Sequence, residues 1–338
     1  MSSGAHATPI VRLAPAKLNL TLAVIGRRAD GFHDLHSVFV PLALADRLSL
    51  AIAGGTGTLG RAGRDDTLYV RGHDAGPIAD NLVLRAIAAA RAAVGEGPGR
   101  PPTLPLAARL EKIIPVAAGL GGGSSDAAAA LDGALEAWGA ELDPERRAST
   151  ALAIGSDVPF FLAGSGARVE GRGERITALA GVQGQPGVLL VTPRVALRTP
   201  DVFAVFTATR GHGDVSIRMT SEHLAQELAR GLSAADLIAR AGVMASANDL
   251  LSAALLVEPG LIGFKRALAR TVGRVVGLTG SGPTFWTLYP SLTEAQSAAA
   301  VVRAAVESGT VPSLGDGPPS IIATTIHAGR TGHEEPAP

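Results

Sequence analysis

From Val11 to Ile25 apolar and polar residues alternate, the period of a half-buried strand, with Pro15 expected to interrupt it. Leu35–Val40 and Arg47–Ile52 repeat the pattern and predict two further strands. The period then changes. An apolar stripe at helical spacing runs from Leu82 to about Val94, with Asp80 ahead of it as the predicted cap. Leu106–Ile114 reads as a strand, and an Ala-rich helix follows the Ser124-Ser125-Asp126 start and runs to about Trp138. Asp143-Pro144-Glu145 opens another helix, with proline at its first position, which stops near Gly155. Gly54–Gly63 and Gly95–Pro105 are rich in glycine or proline and predict loops.

The second half begins with a strand at Val188–Thr192. Helices are predicted at 200–208, 221–229, 233–240, 248–257, 261–270 and 293–307. Arg274–Leu278, Thr284–Leu288 and residues 320–327 read as strands, with a tight turn at Gly280-Ser281-Gly282-Pro283 and a loop over 308–319. This order lacks the regular strand–helix alternation of a doubly wound sheet and predicts an α+β protein. Two domains are expected, 1–176 and 177–329, followed by a polar tail over 330–338 expected to be mobile.

Composition narrows the function classes. Apolar residues make up 46% of the 338 positions and charged residues 18%, which excludes a disordered chain. The 30 basic and 30 acidic residues cancel, so neither nucleic acid nor an anionic membrane is an expected partner. With no cysteine, disulfides, thiolate metal sites and a cysteine nucleophile are excluded. Met1–Arg12 holds no apolar core of signal-peptide length, and no apolar run approaches the ~20 residues of a membrane span. A soluble, cytoplasmic protein is expected. Only Lys17, Lys112 and Lys265 are lysines, and only Asn19, Asn81 and Asn248 are asparagines. In a chain rich in Arg, Ala, Gly and Pro, each of these six is less easily dismissed as filler.

The strongest chemical signal is Pro115-Val116-Ala117-Ala118-Gly119-Leu120-Gly121-Gly122-Gly123-Ser124-Ser125, between a predicted strand and a predicted serine-capped helix. Glycines allow positive φ and close approach to a ligand, and a helix N-terminus offers N–H groups and a positive dipole end to a phosphate. The plainer reading is a flexible capped turn. A Walker A loop is excluded because no Gly-Lys occurs in the chain. The dinucleotide fingerprint fails because Ser124 stands where its last glycine belongs.

These residues resemble the second motif of the GHMP kinases. Ala14-Pro15-Ala16-Lys17-Leu18-Asn19-Leu20 resembles the first motif, and Gly277-Leu278-Thr279-Gly280-Ser281-Gly282-Pro283 the third, in the same order. Arg28-Ala29-Asp30-Gly31-Phe32-His33 and Ile154-Gly155-Ser156-Asp157-Val158-Pro159-Phe160-Phe161 resemble segments of one branch, the 4-diphosphocytidyl-2-C-methyl-D-erythritol kinases. The resemblance implies a two-domain GHMP kinase fold, with an N-terminal domain like domain 2 of ribosomal protein S5 and a ferredoxin-like C-terminal domain. It implies ATP-dependent phosphorylation of the substrate's 2-hydroxyl, with ATP as Mg-ATP, in non-mevalonate isoprenoid synthesis. A homoserine- or mevalonate-type acceptor and a non-catalytic nucleotide-binding module are the alternatives.

By the same resemblance, Lys17 and Asp157 form the catalytic pair. Residues 115–125 and Asn81 hold ATP, and Asn19, Phe32, His33 and Phe203 contact the acceptor, with Phe32 and Phe203 sandwiching the cytosine. Asp157 would take the proton of the acceptor hydroxyl, and Lys17 would steady the developing alkoxide. Read without the resemblance, Asp157 caps the turn before Pro159 and Lys17 lies on a solvated strand face. Phenylalanine at 32 stands where the branch usually has tyrosine, and Leu278-Thr279 where Met-Ser is commoner. His36 and His73 have no metal-ligand spacing, the ligands of Mg²⁺ are left unassigned, and a monomer or weak homodimer is expected.

Overall fold

The computed structural model describes residues 8–53, 65–95 and 99–327. The predicted Gly54–Gly63 loop, part of the 95–105 loop and the 330–338 tail lie outside them.

Two long strands organise the first sheet. Ile10–Arg27 (β1) and His33–Ile52 (β2) form an antiparallel pair along their whole length. Pro15 does not end β1. It sits at a register shift between Pro15 and Lys17, where a missing N–H costs no ladder bond. The two strands expected at 35–40 and 47–52 are one, because β2 continues through Pro41 and serves a different neighbour on each half. Leu35–Phe39 pairs with Ala167–Gly171, whereas Arg47–Ile52 pairs with Leu106–Glu111.

Thr67–Gly72 (β3), which has no clear alternation and was not predicted, lies parallel to Leu106–Lys112 (β4). Leu82–Val94 (α1) stands between them in the chain. Its cap is Asn81, whose Oδ1 accepts the Val83 N–H at 3.0 Å; Asp80 instead closes a short 3₁₀ turn, Ile78–Asp80. Gly122–Trp138 (α2), Pro144–Ile154 (α3) and Val158–Ala163 (α4) follow, and then the hairpin Ala167–Gly171 (β5) and Arg175–Ala178 (β6). The resulting order is β3-β4-β2-β5-β6 with β1 on β2, packed against the Ala-rich face of α2 and against α1.

Past Ala178 the chain leaves this sheet. Val182–Gln183 (β7) and Leu232–Ser233 (β9) form a small parallel pair. Gly187–Thr192 (β8), Gly277–Leu278 (β10), Phe285–Tyr289 (β11) and Ser320–Thr325 (β12) make a second, antiparallel sheet in the order β10-β11-β8-β12. Its helices are Thr199–Thr209 (α5), Val215–Ala229 (α6), Ala234–Ala239 (α7), Ala241–Ser246 (α8), Leu251–Val257 (α9), Gly260–Val272 (α10) and Leu292–Glu307 (α11). α6 starts six residues earlier than its apolar pattern suggests because the Asp214 side chain accepts the Ser216 N–H and fixes the first turn.

The two sheets share a core. Leu18, Leu20, Val38, Val40 and Leu42 of β1 and β2 pack with Val188, Leu190, Trp286 and Leu288 of the second sheet. Each such side chain contributes on the order of 1.5–3 kcal/mol on full burial. β1 is therefore buried on both faces, and its polar positions Lys17, Asn19 and Thr21 point into the protein. Among the described residues no helix is long and apolar enough to cross a membrane.

Candidate active site

Alternation on β1 reads as polar-out, the usual arrangement for an antiparallel strand. Here the polar face is covered. Lys17 is 4% exposed. Its Nζ lies 2.5 Å from Asn19 Oδ1, 3.8 Å from Asp157 Oδ2 and 4.7 Å from the centre of the Phe39 ring. Its backbone N–H donates to the carbonyl of Leu120 at 2.9 Å, which ties β1 to the glycine loop. Burial lowers the Lys17 pKa below its ordinary value, and the Asp157 carboxylate opposes that shift.

Asp157 stands immediately before α4 but caps nothing: its side chain makes no bond to the first turn. The capping role that sequence alone would assign to it is absent, and its carboxylate, 35% exposed, faces a cavity of about 730 Å³. Because Lys17 is buried and its pKa depressed, the ammonium is lost at a lower pH than in free lysine. The alkaline limb of kcat/KM is expected below the ordinary lysine value of 10.5, and a pH–rate profile checks it. Stability follows the opposite course. Between the folded and unfolded Lys17 values the unfolded chain binds more protons, so this group's contribution rises with pH.

The glycine loop lies beside this pair. At Gly121, with φ +69°, a Cβ would sit 2.9 Å from both Lys17 Cγ and Phe161 Cζ. At Gly119, with φ +76°, it would sit 2.8 Å from the carbonyl oxygen of Thr279. No side chain fits at either point. α2 begins at Gly122, two residues earlier than expected, and Gly121 is its cap residue with no side-chain cap, so the predicted serine cap is not formed. The first N–H groups of α2 are thereby left open to an anion. Residues 115–124, with Asn81, Lys112 and Asp126, line a cavity of about 310 Å³. Ser125, also expected there, is instead on the buried side of α2, its hydroxyl without a hydrogen-bond partner.

The third motif closes the arrangement. Thr279 Oγ1 accepts the Asn19 N–H at 3.0 Å and lies 3.2 Å from Asn19 Oδ1. Threonine for serine therefore keeps the hydroxyl that matters. Asn19 Nδ2 donates to Ser37 Oγ at 3.0 Å, so the asparagine expected to touch the acceptor is engaged in holding Lys17. Asn248 Nδ2 donates to the carbonyls of Leu278 and Gly280, at 3.0 and 2.9 Å, and fixes the turn from behind.

Three buried charges under the loop were not foreseen. Lys112 Nζ bonds both Asp46 and Asp126, the latter at 2.7 Å, and Asp46 Oδ1 accepts the N–H groups of Ile113 and Ile114 at 2.6 and 2.8 Å. Burial raises the Asp126 carboxyl to about 7, against the pull of Lys112, with Asp46 adding to the rise. The scarcity of lysine was the available signal. All three asparagines and two of the three lysines surround the site.

On the acceptor side, His33 stacks on Phe203 with ring centres 4.9 Å apart, and its Nε2 lies 3.1 Å from Thr207 Oγ1. Burial and the nearby Arg27 lower its pKa, so the ring is neutral at pH 7. Phe32 is 50% exposed, and its ring partner in this structure is the Arg172 guanidinium rather than Phe203. All three aromatic side chains line the 730 Å³ cavity with Asp157. His36 bonds Ser221 at 2.8 Å inside a buried network, and among the described residues no cluster of three or more His, Cys, Asp or Glu side chains could hold a metal ion.

The fold and the three converging loops define a GHMP kinase, and the family model "GHMP kinases N terminal domain" matches residues 81–165. Homoserine kinase from Cytophaga hutchinsonii shares the fold, with a TM-score of 0.65 at 16% identity over 96% of this chain and 97% of its own. The chain belongs, more narrowly, to the 4-diphosphocytidyl-2-C-methyl-D-erythritol kinase family. It is 40% identical to the kinase of that name from Nitrobacter winogradskyi over 86% of this chain and 88% of the relative. The corresponding kinase of Symbiobacterium thermophilum is 37% identical over 81% and 89%. A crystal structure of 4-(cytidine 5'-diphospho)-2C-methyl-D-erythritol kinase superposes with a TM-score of 0.66 at 30% identity, covering 94% of this chain and all of that one.

Proposed function

We propose that the chain carries out the reaction of its family: ATP-dependent phosphorylation of the 2-hydroxyl of 4-(cytidine 5'-diphospho)-2-C-methyl-D-erythritol, in non-mevalonate isoprenoid synthesis, with ADP as coproduct. The observation that carries the reading is the position of the Lys17–Asp157 pair. Asp157 opens into the aromatic-lined cavity, whereas Lys17 packs under Gly121 of the loop that lines the other.

In this reading the nucleotide phosphates lie on the loop over residues 115–124 and on the open N-terminus of α2. Phosphoryl transfer then depends on positioning and charge stabilisation. Asp157 accepts the proton of the tertiary hydroxyl as it attacks, and Lys17, aimed by Asn19, stabilises charge between nucleophile and phosphoryl group. Neutral His33 is suited to hydrogen-bond the base, and Phe32 and Phe203 supply apolar faces for it. Mg²⁺ carried by ATP would neutralise phosphate charge in this cavity. Asp126, whose Oδ1 has no hydrogen-bond partner, and Ser124 are among the side chains lining that cavity whose oxygens would hold it, beside Asp80 and Asn81. A division near residue 176, a cytoplasmic location, a small molecule as sole partner and a monomer or weak homodimer belong to the same proposal.

The aromatic lining disfavours homoserine and mevalonate, which carry no ring to stack. The test is ADP release by the purified chain with ATP and each acceptor in turn. Release with the cytidyl acceptor alone is expected. Release with homoserine or mevalonate, and none with the cytidyl compound, would overturn the reading.

A further inference from the structure

One charged side chain of the acceptor cavity takes no part in moving the proton or the phosphoryl group. Arg172 sits at the tip of the β5–β6 hairpin, half-buried, its guanidinium carbon 4.5 Å from the centre of the Phe32 ring. The tip is held firmly. At Gly173, with φ +122°, a Cβ would lie 2.3 Å from the carbonyl oxygen of Ser156, so the turn packs directly on the residue before Asp157. Glu174 accepts the Arg172 N–H at 2.6 Å and lies 3.7 Å from Arg28 Nη1. Arg28 in turn bonds Asp30 and Asp34, at 3.1 and 2.9 Å, within the turn that presents Phe32. Hairpin and turn are therefore clamped together, with Arg172 between them.

The Arg172 guanidinium touches Phe32, its chain neighbour Gly173 packs on Ser156, and Phe32, Arg172, Ser156 and Asp157 line one cavity. An acceptor whose base stacks at Phe32 and whose hydroxyl reaches Asp157 spans the cavity that Arg172 also lines, and its linking group is the part left for a cation there. Arg27 is the other arginine in that lining. We infer that Arg172 is a specificity-determining residue that binds the diphosphate joining base and tetrol, with the Phe32 ring holding its guanidinium in place. A planar guanidinium matches phosphate oxygens in pairs while stacking on an aromatic face, which lysine does not reproduce. The plainer role, covering an exposed ring, would involve no phosphate. The inference rests on the acceptor proposed above.

The test compares cytidine with CDP as probes, binding to the full chain while a non-hydrolysable ATP analogue fills the nucleotide site. Arg172→Gln is expected to weaken CDP about tenfold to a hundredfold, the range of a charged hydrogen bond, and cytidine no more than about threefold. Arg172→Lys should recover part of the CDP affinity. In turnover the KM for the acceptor should rise more than kcat falls. Equal weakening of cytidine and CDP, or of neither, would overturn the inference, because Arg172 would then serve only Phe32 or nothing. Failure of the unmutated chain to bind CDP would overturn the acceptor assignment, and the inference with it.

Discussion

Asp157→Asn is expected to lower kcat by about 10²–10⁴-fold, the usual contribution of a positioned general base, with acceptor and ATP binding altered only a few-fold. The amide keeps the size of the side chain but cannot accept the hydroxyl proton. Because Asp157 makes no cap bond to α4, its loss should leave the local fold intact, so the effect is chemical. The same change removes the negative charge that opposes the lowering of the Lys17 pKa. The alkaline limb of the residual activity should therefore move to lower pH than in the unmutated chain. Steady-state kinetics across pH measure both effects, and turnover within tenfold of wild type would remove Asp157 as the base.

Lys112→Met is expected to destabilise the fold by about 3–5 kcal/mol, because it strands the buried carboxylates of Asp46 and Asp126 without their cation. Asp46 also holds the backbone of Ile113 and Ile114, so the strain reaches the start of the glycine loop. The sign with pH follows from Asp126. Burial holds the Asp126 carboxyl above its unfolded value, so its penalty is full above the folded value and fades as pH falls toward the unfolded one. Urea unfolding of both chains between pH 5 and 8 should show the gap narrowing at low pH. A difference under about 1 kcal/mol at pH 8 would mean that Lys112 does not secure the cluster.

The glycine loop and the helix behind it were legible in the sequence because their information is local: four glycines, a strand before and an apolar helix after. The arrangement of β1 was not. A strand with Lys17, Asn19 and Thr21 at every second position looks half-solvated, and nothing within it reveals that the turn near residue 280 and α6 cover that face. β2 was divided in two because Pro41 and Asp46 break its alternation, yet Asp46 is buried for a reason 66 positions away, at Lys112. The α1 cap was misplaced by one residue, since Asp80 and Asn81 are equally good cap types and only the 3₁₀ turn decides between them. The cytosine sandwich was carried over as a pair of rings, whereas Phe203 is engaged by His33 and Phe32 by Arg172, contacts across 170 positions and 140 that no local pattern encodes.

The account depends on one carboxylate meeting both the acceptor and the end of the nucleotide. A crystal structure of the chain with a non-hydrolysable ATP analogue and the cytidyl acceptor measures this directly. It should place the acceptor's 2-hydroxyl about 3 Å from an Asp157 carboxylate oxygen, the hydrogen-bond reach of a general base, with the terminal phosphate between the glycine loop and Lys17. An acceptor bound with that hydroxyl remote from Asp157, or a nucleotide whose phosphates point away from residues 119–124, would contradict it.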